Sequence, residues 1–288
     1  MKKLIPVISL GMVMSVQANP DVASREYKLM LQSQQFTYGA EASNVSSFLQ
    51  QAEAAIESAI SRDVIGSEYL AKVRDVKFFD TPGSCELDRL GYAFRERVEN
   101  GESEVTLKFR SPDRYIADFE DLSASGSQAE TKLEEDIGIS PDSGFKVIYG
   151  HSTTIPNTRN INEMKDINSL FPGFDQEYGF NNSLDLAVVG DLNIHERVYK
   201  GRVIDLGQFD AEISVTLWYK GAPTGTEHPL VAEVSFKYED SSADYTQKVV
   251  SRAKLAFEAL QELGTWTDPE SKTKTRFVYE YAADFCGN

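Results

Sequence analysis

The stretch from Lys77 to Arg110, KFFDTPGSCELDRLGYAFRERVENGESEVTLKFR, decides how the chain is read. Its turn signals, Asp80-Thr81-Pro82-Gly83 and Glu99-Asn100-Gly101, cut it into short strands. Side chains alternate across a strand. Arg95 and Arg97 therefore share one face, and Thr106, Lys108 and Arg110 share another, while Val105, Leu107 and Phe109 point away. That separates a cationic face from an apolar one and points to the holding of an anion.

Working outward, the same period of two recurs. Ser24–Leu31 places Ser24, Glu26 and Lys28 opposite Tyr27, Leu29 and Leu31. Glu130–Ile137 aligns Glu130, Lys132, Glu134 and Asp136, and Glu212–Tyr219 and Val231–Tyr238 present Glu212 and Glu233 on their polar faces. Strands are also expected at Phe145–Tyr149, Leu184–Val189, Ile194–Ile204 and Lys274–Tyr281, the last with Lys274 and Arg276 on its polar face. His151 to Asn160 reads as loop. Apolar residues at three- and four-residue steps predict helices at Asn44–Arg62 and Tyr245–Leu263, with a shorter one at Asn162–Phe171. The sum is an α+β fold, a large antiparallel sheet or barrel flanked by helices.

The first 18 residues read as a signal peptide: Lys2 and Lys3, an apolar run from Leu4 to Val16, and small residues before a cut after Ala18. Residues 19–288 are expected to form one exported domain, periplasmic or secreted, with no stable membrane insertion. In that compartment Cys85 and Cys286 would either pair, tying the C-terminal tail to the loop after Pro82, or remain thiols. The formal net charge of −16 disfavours nucleic acid as a partner, so a local cationic cluster stands out. His151, His195 and His228 lack the paired spacing of metal ligands and read as structural or surface residues.

Antiparallel sheets normally turn one polar face to water. The charged strand faces are then a solvated surface. Turned inward in a closed barrel, they would grip phosphate oxygens through Arg and Lys. Carboxylates in the same interior would need a hard divalent cation between themselves and a phosphate.

Phe78-Phe79-Asp80-Thr81, Leu90-Gly91-Tyr92, Arg95-x-Arg97 and Thr106-x-Lys108, in that order, resemble the core of the CYTH, or triphosphate tunnel metalloenzyme, superfamily. The resemblance implies an eight-stranded antiparallel tunnel, a small phosphorylated anion such as a triphosphate, and Mg²⁺ or Mn²⁺. By position it implies that Lys28, Arg95, Arg97, Lys108, Lys132 and Arg202 hold phosphate, with Asp205 near Arg202. Glu26, Glu134, Glu212 and Glu233 would be the metal ligands, and Glu26 and Lys28 the catalytic residues. The implied activity is hydrolysis of a phosphoanhydride; the alternative is a non-catalytic anion-binding module on the same fold. The family's Glu-x-Glu-x-Lys strand reads Ser24-x-Glu26-x-Lys28 here, so one carboxylate is missing.

Overall fold

A computed structural model describes residues 21–140, 144–240, 242–269 and 272–287. The segment read as a signal peptide lies outside them.

The elements run β1 (Ser24–Leu31), α1 (Glu41–Ile60), β2 (Val64–Asp80), α2 (Glu86–Arg89), β3 (Tyr92–Glu99), β4 (Glu102–Ser111), α3 (Arg114–Phe119), β5 (Glu130–Gly138), β6 (Lys146–Asn157), α4 (Met164–Leu170), α5 (Pro172–Tyr178), β7 (Ala187–Val188), β8 (Ile194–Asp205), β9 (Asp210–Lys220), β10 (Val231–Glu239), α6 (Gln247–Gln261) and α7 (Lys274–Tyr281). The strands form one sheet in the order β3-β4-β6-β5-β1-β10-β9-β8-β2-β7. Pairing of β2 with β3 closes that sheet into a ring, with β7 added beside the end of β2. The α+β class and the tunnel-like closure expected from the sequence are present. The ring uses nine of the ten strands, and the β1–β5 pairing is parallel, where eight antiparallel strands were expected.

Closure depends on β2. Its 17 residues pair with β8 from Val64 to Val76 and with β3 from Asp75 to Phe79. One strand therefore serves two neighbours in succession. The β2–β8 ribbon carries register shifts at Gly66/Tyr69 and Leu70/Lys72, and the β8–β9 pairing carries one at Tyr199/Arg202. Gly66 and Gly201 both have positive φ, and a Cβ on Gly66 would lie 2.1 Å from the Gly201 carbonyl oxygen. Only glycine fits this crossing without a backbone shift.

The apolar strand faces point outward under helices. Val45, Phe48, Leu49, Ala52 and Ile56 of α1 join Phe257 and Leu260 of α6 over Tyr27, Leu29, Val215, Leu217, Val234 and Phe236. A second cluster covers Phe94, Leu107 and Ile155 with Met164, Ile167 and Phe174 of α4 and α5. With both apolar layers outside the ring, the polar faces line its lumen, the inverse of a small barrel filled by apolar side chains.

A third cluster closes one end of the lumen. Val76, Phe78, Ala93, Ile194, Trp218 and Val231 meet Val278 and Tyr279 of α7 there. The expected strand at Lys274–Tyr281 is thus a helix. Eight residues fit both periods, and packing decides between them: Val278 and Tyr279 are buried on neighbouring helical positions, which a strand would send to opposite faces. Of the expected loop at His151–Asn160, His151–Asn157 is instead the second half of β6, paired with β4 and β5, and only 158–160 lie outside a strand. A disulfide joins Cys85 to Cys286, so the tail beyond α7 is tied to the loop after β2.

Candidate anion-binding tunnel

The lumen is built from alternate residues of successive strands. Lys28 on β1 extends its Nζ to 3.0 Å from Glu26 Oε2 and 2.9 Å from Asp136 Oδ1. Asp136 also faces Lys108, at 3.3 Å, and Lys108 lies 3.4 Å from Glu134. The Ser24 hydroxyl donates to Glu134 Oε1 at 3.2 Å. The outcome is a chain of alternating charge: Ser24, Glu134, Lys108, Asp136, Lys28, Glu26. Gly150 makes room for it, since a Cβ there would lie 2.2 Å from Lys108 Cε.

This chain is enclosed by protein yet reaches the lumen: the Lys28 side chain keeps 27% of its surface exposed. Burial opposes its charge, but Asp136, Glu26 and Glu233 more than compensate and push the Lys28 pKa up. Burial likewise opposes ionisation of Asp136, and Lys108, Lys28 and Arg110 overcome it, so its pKa falls. For Glu26 the lowering comes from Lys28 acting against burial and against the neighbouring Asp136.

Arginines dominate the wall opposite. Arg74 forms an ion pair with Glu196, Arg97 approaches the same carboxylate at 3.8 Å, and the Trp218 indole donates to it at 2.8 Å. Glu196 is almost fully buried; Arg97 and Arg74 outweigh that burial and hold its carboxyl well below the usual range. Arg95 has no carboxylate within ion-pair distance among the described residues and makes one long hydrogen bond, 3.4 Å, to the Thr106 hydroxyl. The Nε atoms of Arg95 and Arg97 are buried without hydrogen-bond partners. Burial and the neighbouring Arg97 push the Arg95 pKa down. Burial pushes Lys108 down as well, Asp136 and Glu134 offsetting only part of it. A buried donor that lacks an acceptor is costly, and here donors crowd one wall of a lumen.

A cavity of about 840 Å³ enters from the end opposite α7, lined by Glu99, Glu104, Thr154, Asn157, Arg97 and Arg74 among others. At the other end Lys274 of α7 reaches in to Glu233, at 2.6 Å, with its ammonium 5.6 Å from the centre of the Trp218 indole. A separate cleft of about 560 Å³, at Asp118–Ser123 and His151, lies away from this wall.

The ring thus brings together Lys28, Arg95, Arg97, Lys108, Glu26, Glu134 and Glu233. Lys132 shares the face of Glu134 but is half exposed and pairs with Glu130 at 3.4 Å. Glu212 shares the face of Thr216 and Trp218, yet it is largely exposed and pairs with Lys200. Arg202 is not in the lumen. The register shift between Tyr199 and Arg202 reverses the alternation of β8, so Arg202 points outward to Glu53 of α1 and to Glu68. Asp205, also outside, pairs with Arg62. The histidines bond locally: His151 Nδ1 is 3.0 Å from the Ala117 carbonyl and His228 Nδ1 is 2.8 Å from that of Phe36, while His195 meets Asp75 at 3.3 Å.

Sequence reading alone passed over Arg74, Glu196 and the inward role of Lys274. Arg74-x-Val76-x-Phe78 and Ile194-x-Glu196-x-Val198 both carry the period of two that would have placed them. Asp80-Thr81, part of the quoted signature, does structural work. The Asp80 carboxylate accepts from the backbone N–H of Thr81, Leu87 and Asp88 and from the Tyr279 hydroxyl at 2.8 Å. It thereby joins the end of β2 to α2 and α7.

A divalent cation such as Mg²⁺ or Mn²⁺ requires several oxygen ligands converging on one point. Among the described residues no three His, Cys, Asp or Glu side chains are grouped to hold a metal. Glu26, Glu134 and Glu233 each face a lysine, and Glu212 stands at the rim. The residues present therefore do not fit the metal centre that the resemblance implies.

No family model matches the chain, and no curated protein matches it. Solved structures with a similar chain path include a candidate adenylyl cyclase from Hippeastrum described as having a dominant triphosphatase activity, at 15% identity and a TM-score of 0.44, covering 90% of this chain and 96% of that one. A candidate adenylate cyclase from Bacillus halodurans matches at 12% identity and a TM-score of 0.37, over 89% of this chain and 99% of that one. The PH1819 protein of Pyrococcus horikoshii matches at 12% identity and a TM-score of 0.35, over 88% and 99%. At such values activity does not follow from the likeness.

Proposed function

We propose that this CYTH-like tunnel binds a small, multiply charged phosphorylated anion, with a chain of phosphates such as a triphosphate as the class that fits. The observation that carries the reading is the arginine wall. Arg95 and Arg97 hold buried Nε atoms without acceptors, beside Lys108 and Arg110, within reach of a cavity that opens at one end of the ring. An anion of several linked phosphates carries many acceptor oxygens on one short chain, and guanidinium groups bind phosphate oxygens in pairs. We place the protein outside the cytosol. The basic and apolar N-terminal run supports this, as does the Cys85–Cys286 bond, which suits an oxidising compartment.

Hydrolysis of the bound phosphoanhydride is the second reading. It is favoured by the carboxylates of Glu26 and Asp136, which line the lumen beside the cationic wall where either could orient a water. One experiment addresses both. Thermal unfolding of the mature chain is followed with tripolyphosphate, pyrophosphate and orthophosphate, and phosphate release is assayed in parallel with and without Mg²⁺ or Mn²⁺. Stabilisation that grows with phosphate number supports binding; release adds the hydrolytic step. No stabilisation by any of the three overturns the proposal.

A further inference from the structure

We infer that the lysines of this tunnel occupy the place of a divalent cation, so that the phosphorylated anion binds without metal. The inference rests on the anion-binding reading above and names its ionic requirement. Lys28 Nζ sits between Glu26 and Asp136 at 3.0 and 2.9 Å, and Glu233 is near enough to contribute to the upward push on its pKa. Two carboxylates flank one ammonium, so the charge that a metal ion would supply at this point is already supplied by the chain. Lys108 neutralises Glu134 and the second oxygen of Asp136. Lys274 neutralises Glu233, and it comes from α7, outside the ring, so the cation is delivered by the element that closes the lumen.

The carboxylates that would repel a phosphate are therefore already paired with cations belonging to the chain. On the arginine wall Arg74 and Arg97 share the single carboxylate of Glu196, while Arg95 has no carboxylate within ion-pair distance among the described residues and the Nε atoms of Arg95 and Arg97 lack acceptors. A metal ion entering this network would have to displace a buried ammonium from its carboxylates. An arriving anion need not displace a lysine and supplies acceptors to the Arg95 and Arg97 Nε donors that lack them. Magnesium in solution would also compete, since it complexes a polyphosphate and lowers the charge presented to the arginines.

The test is calorimetric titration of tripolyphosphate into the disulfide-intact chain, in EDTA and again in excess Mg²⁺. The expected result is binding in EDTA at equal or greater affinity than in Mg²⁺. Binding seen only with Mg²⁺ overturns the inference while leaving the anion site standing; binding under neither condition overturns both. Titration of Mn²⁺ alone gives an independent reading. The unaltered chain should take up none, whereas Lys28→Met should gain a Mn²⁺ site. Stoichiometric Mn²⁺ binding by the unaltered chain, or none by a folded Lys28→Met variant, contradicts the substitution. Lys274→Met serves if Lys28→Met fails to fold. It should weaken tripolyphosphate binding in EDTA about tenfold, the order of one charge-assisted contact, and Mg²⁺ should now recover part of the loss. An unchanged affinity in that variant would count against the role given to Lys274.

Discussion

Arg95 shows how a residue can be costly to the fold and useful to the site. Its guanidinium is held among Arg97, Arg74 and Arg110, with no carboxylate within ion-pair distance among the described residues, and burial lowers its pKa. Replacing such a charge with an apolar chain of similar length should stabilise the protein, because a buried charge without a partner is costly. Arg95→Met is therefore expected to unfold at higher temperature and to lose stabilisation by tripolyphosphate. Calorimetry with and without the anion reads both; a lower melting temperature would mean that Arg95 is structural. Gly150 permits a finer test. A methyl group there would meet the Lys108 stem at 2.2 Å and push the ammonium from Asp136. Gly150→Ala should weaken tripolyphosphate binding severalfold while leaving the far-ultraviolet circular dichroism unchanged. Acid should act through the same carboxylates. Asp136, Glu26 and Glu196 have folded pKa values below their ordinary 3.8, 4.5 and 4.5, so the folded state binds protons less readily than the unfolded one. Their stabilisation is complete above those ordinary values and is lost as pH falls below them. Asp80 and Asp88, raised by burial, act in the opposite direction. With the three lumen carboxylates prevailing, the urea midpoint should drop between about pH 5 and pH 3; a flat profile would contradict the charge chain.

At the scale of elements, α7 decides how many mouths the tunnel has. It is held by the Tyr279 hydroxyl on Asp80, by Lys274 on Glu233 and by the bond from Cys286 to Cys85. The disulfide spans a sequence separation of 201 residues. Loss of a native disulfide typically costs about 2–5 kcal/mol. Cys286→Ser should lower the melting temperature, and hydrogen exchange should accelerate at 274–281 before it does in β9 or β10. Equal protection of α7 in the variant would show that the two polar contacts suffice. The sequence was least legible here. Over eight residues, Lys274, Arg276 and Glu280 against Phe277, Tyr279 and Tyr281 reads as alternation, and only the fit against Phe78 and Trp218 selects the helix. β2 escaped early notice for a related reason. Ile65, Tyr69, Leu70 and Val73 are exposed along its first half, so no apolar face contrasts with a polar one there. By contrast, α1 and α6 were plain, because their apolar stripes span 20 and 15 residues. The resemblance implies Arg202 by position alone, and a register shift, which leaves no mark in composition, turns it outward.

Across the whole molecule, closure converts a local pattern into a site. Any one strand here would show the same alternation on an open, solvated sheet, which alternation alone favours. The β2–β3 pairing settles the direction by placing helices over the apolar side. Net charge then sets which anions reach the lumen. The chain carries −16 overall, so an extended polyanion meets repulsion along its length, while a small one needs only to pass the rim. The lumen presents Lys28, Arg74, Arg95, Arg97, Lys108 and Lys274 beside Glu26, Glu134, Asp136, Glu196 and Glu233, with Glu99 and Glu104 at the cavity mouth, so charges of both signs meet an entering ligand. Size should therefore discriminate more sharply than charge. At a hundredfold excess over its dissociation constant a ligand stabilises by about 2.7 kcal/mol, a readily measured shift. Tripolyphosphate is expected to produce it, and a single-stranded oligonucleotide of equal phosphate concentration is expected to produce none. Raising the salt should weaken tripolyphosphate less than it would a surface contact, because the arginine wall is shielded by the ring. Equal protection by the oligonucleotide would place the cationic contacts on the outer surface and remove the lumen from the account.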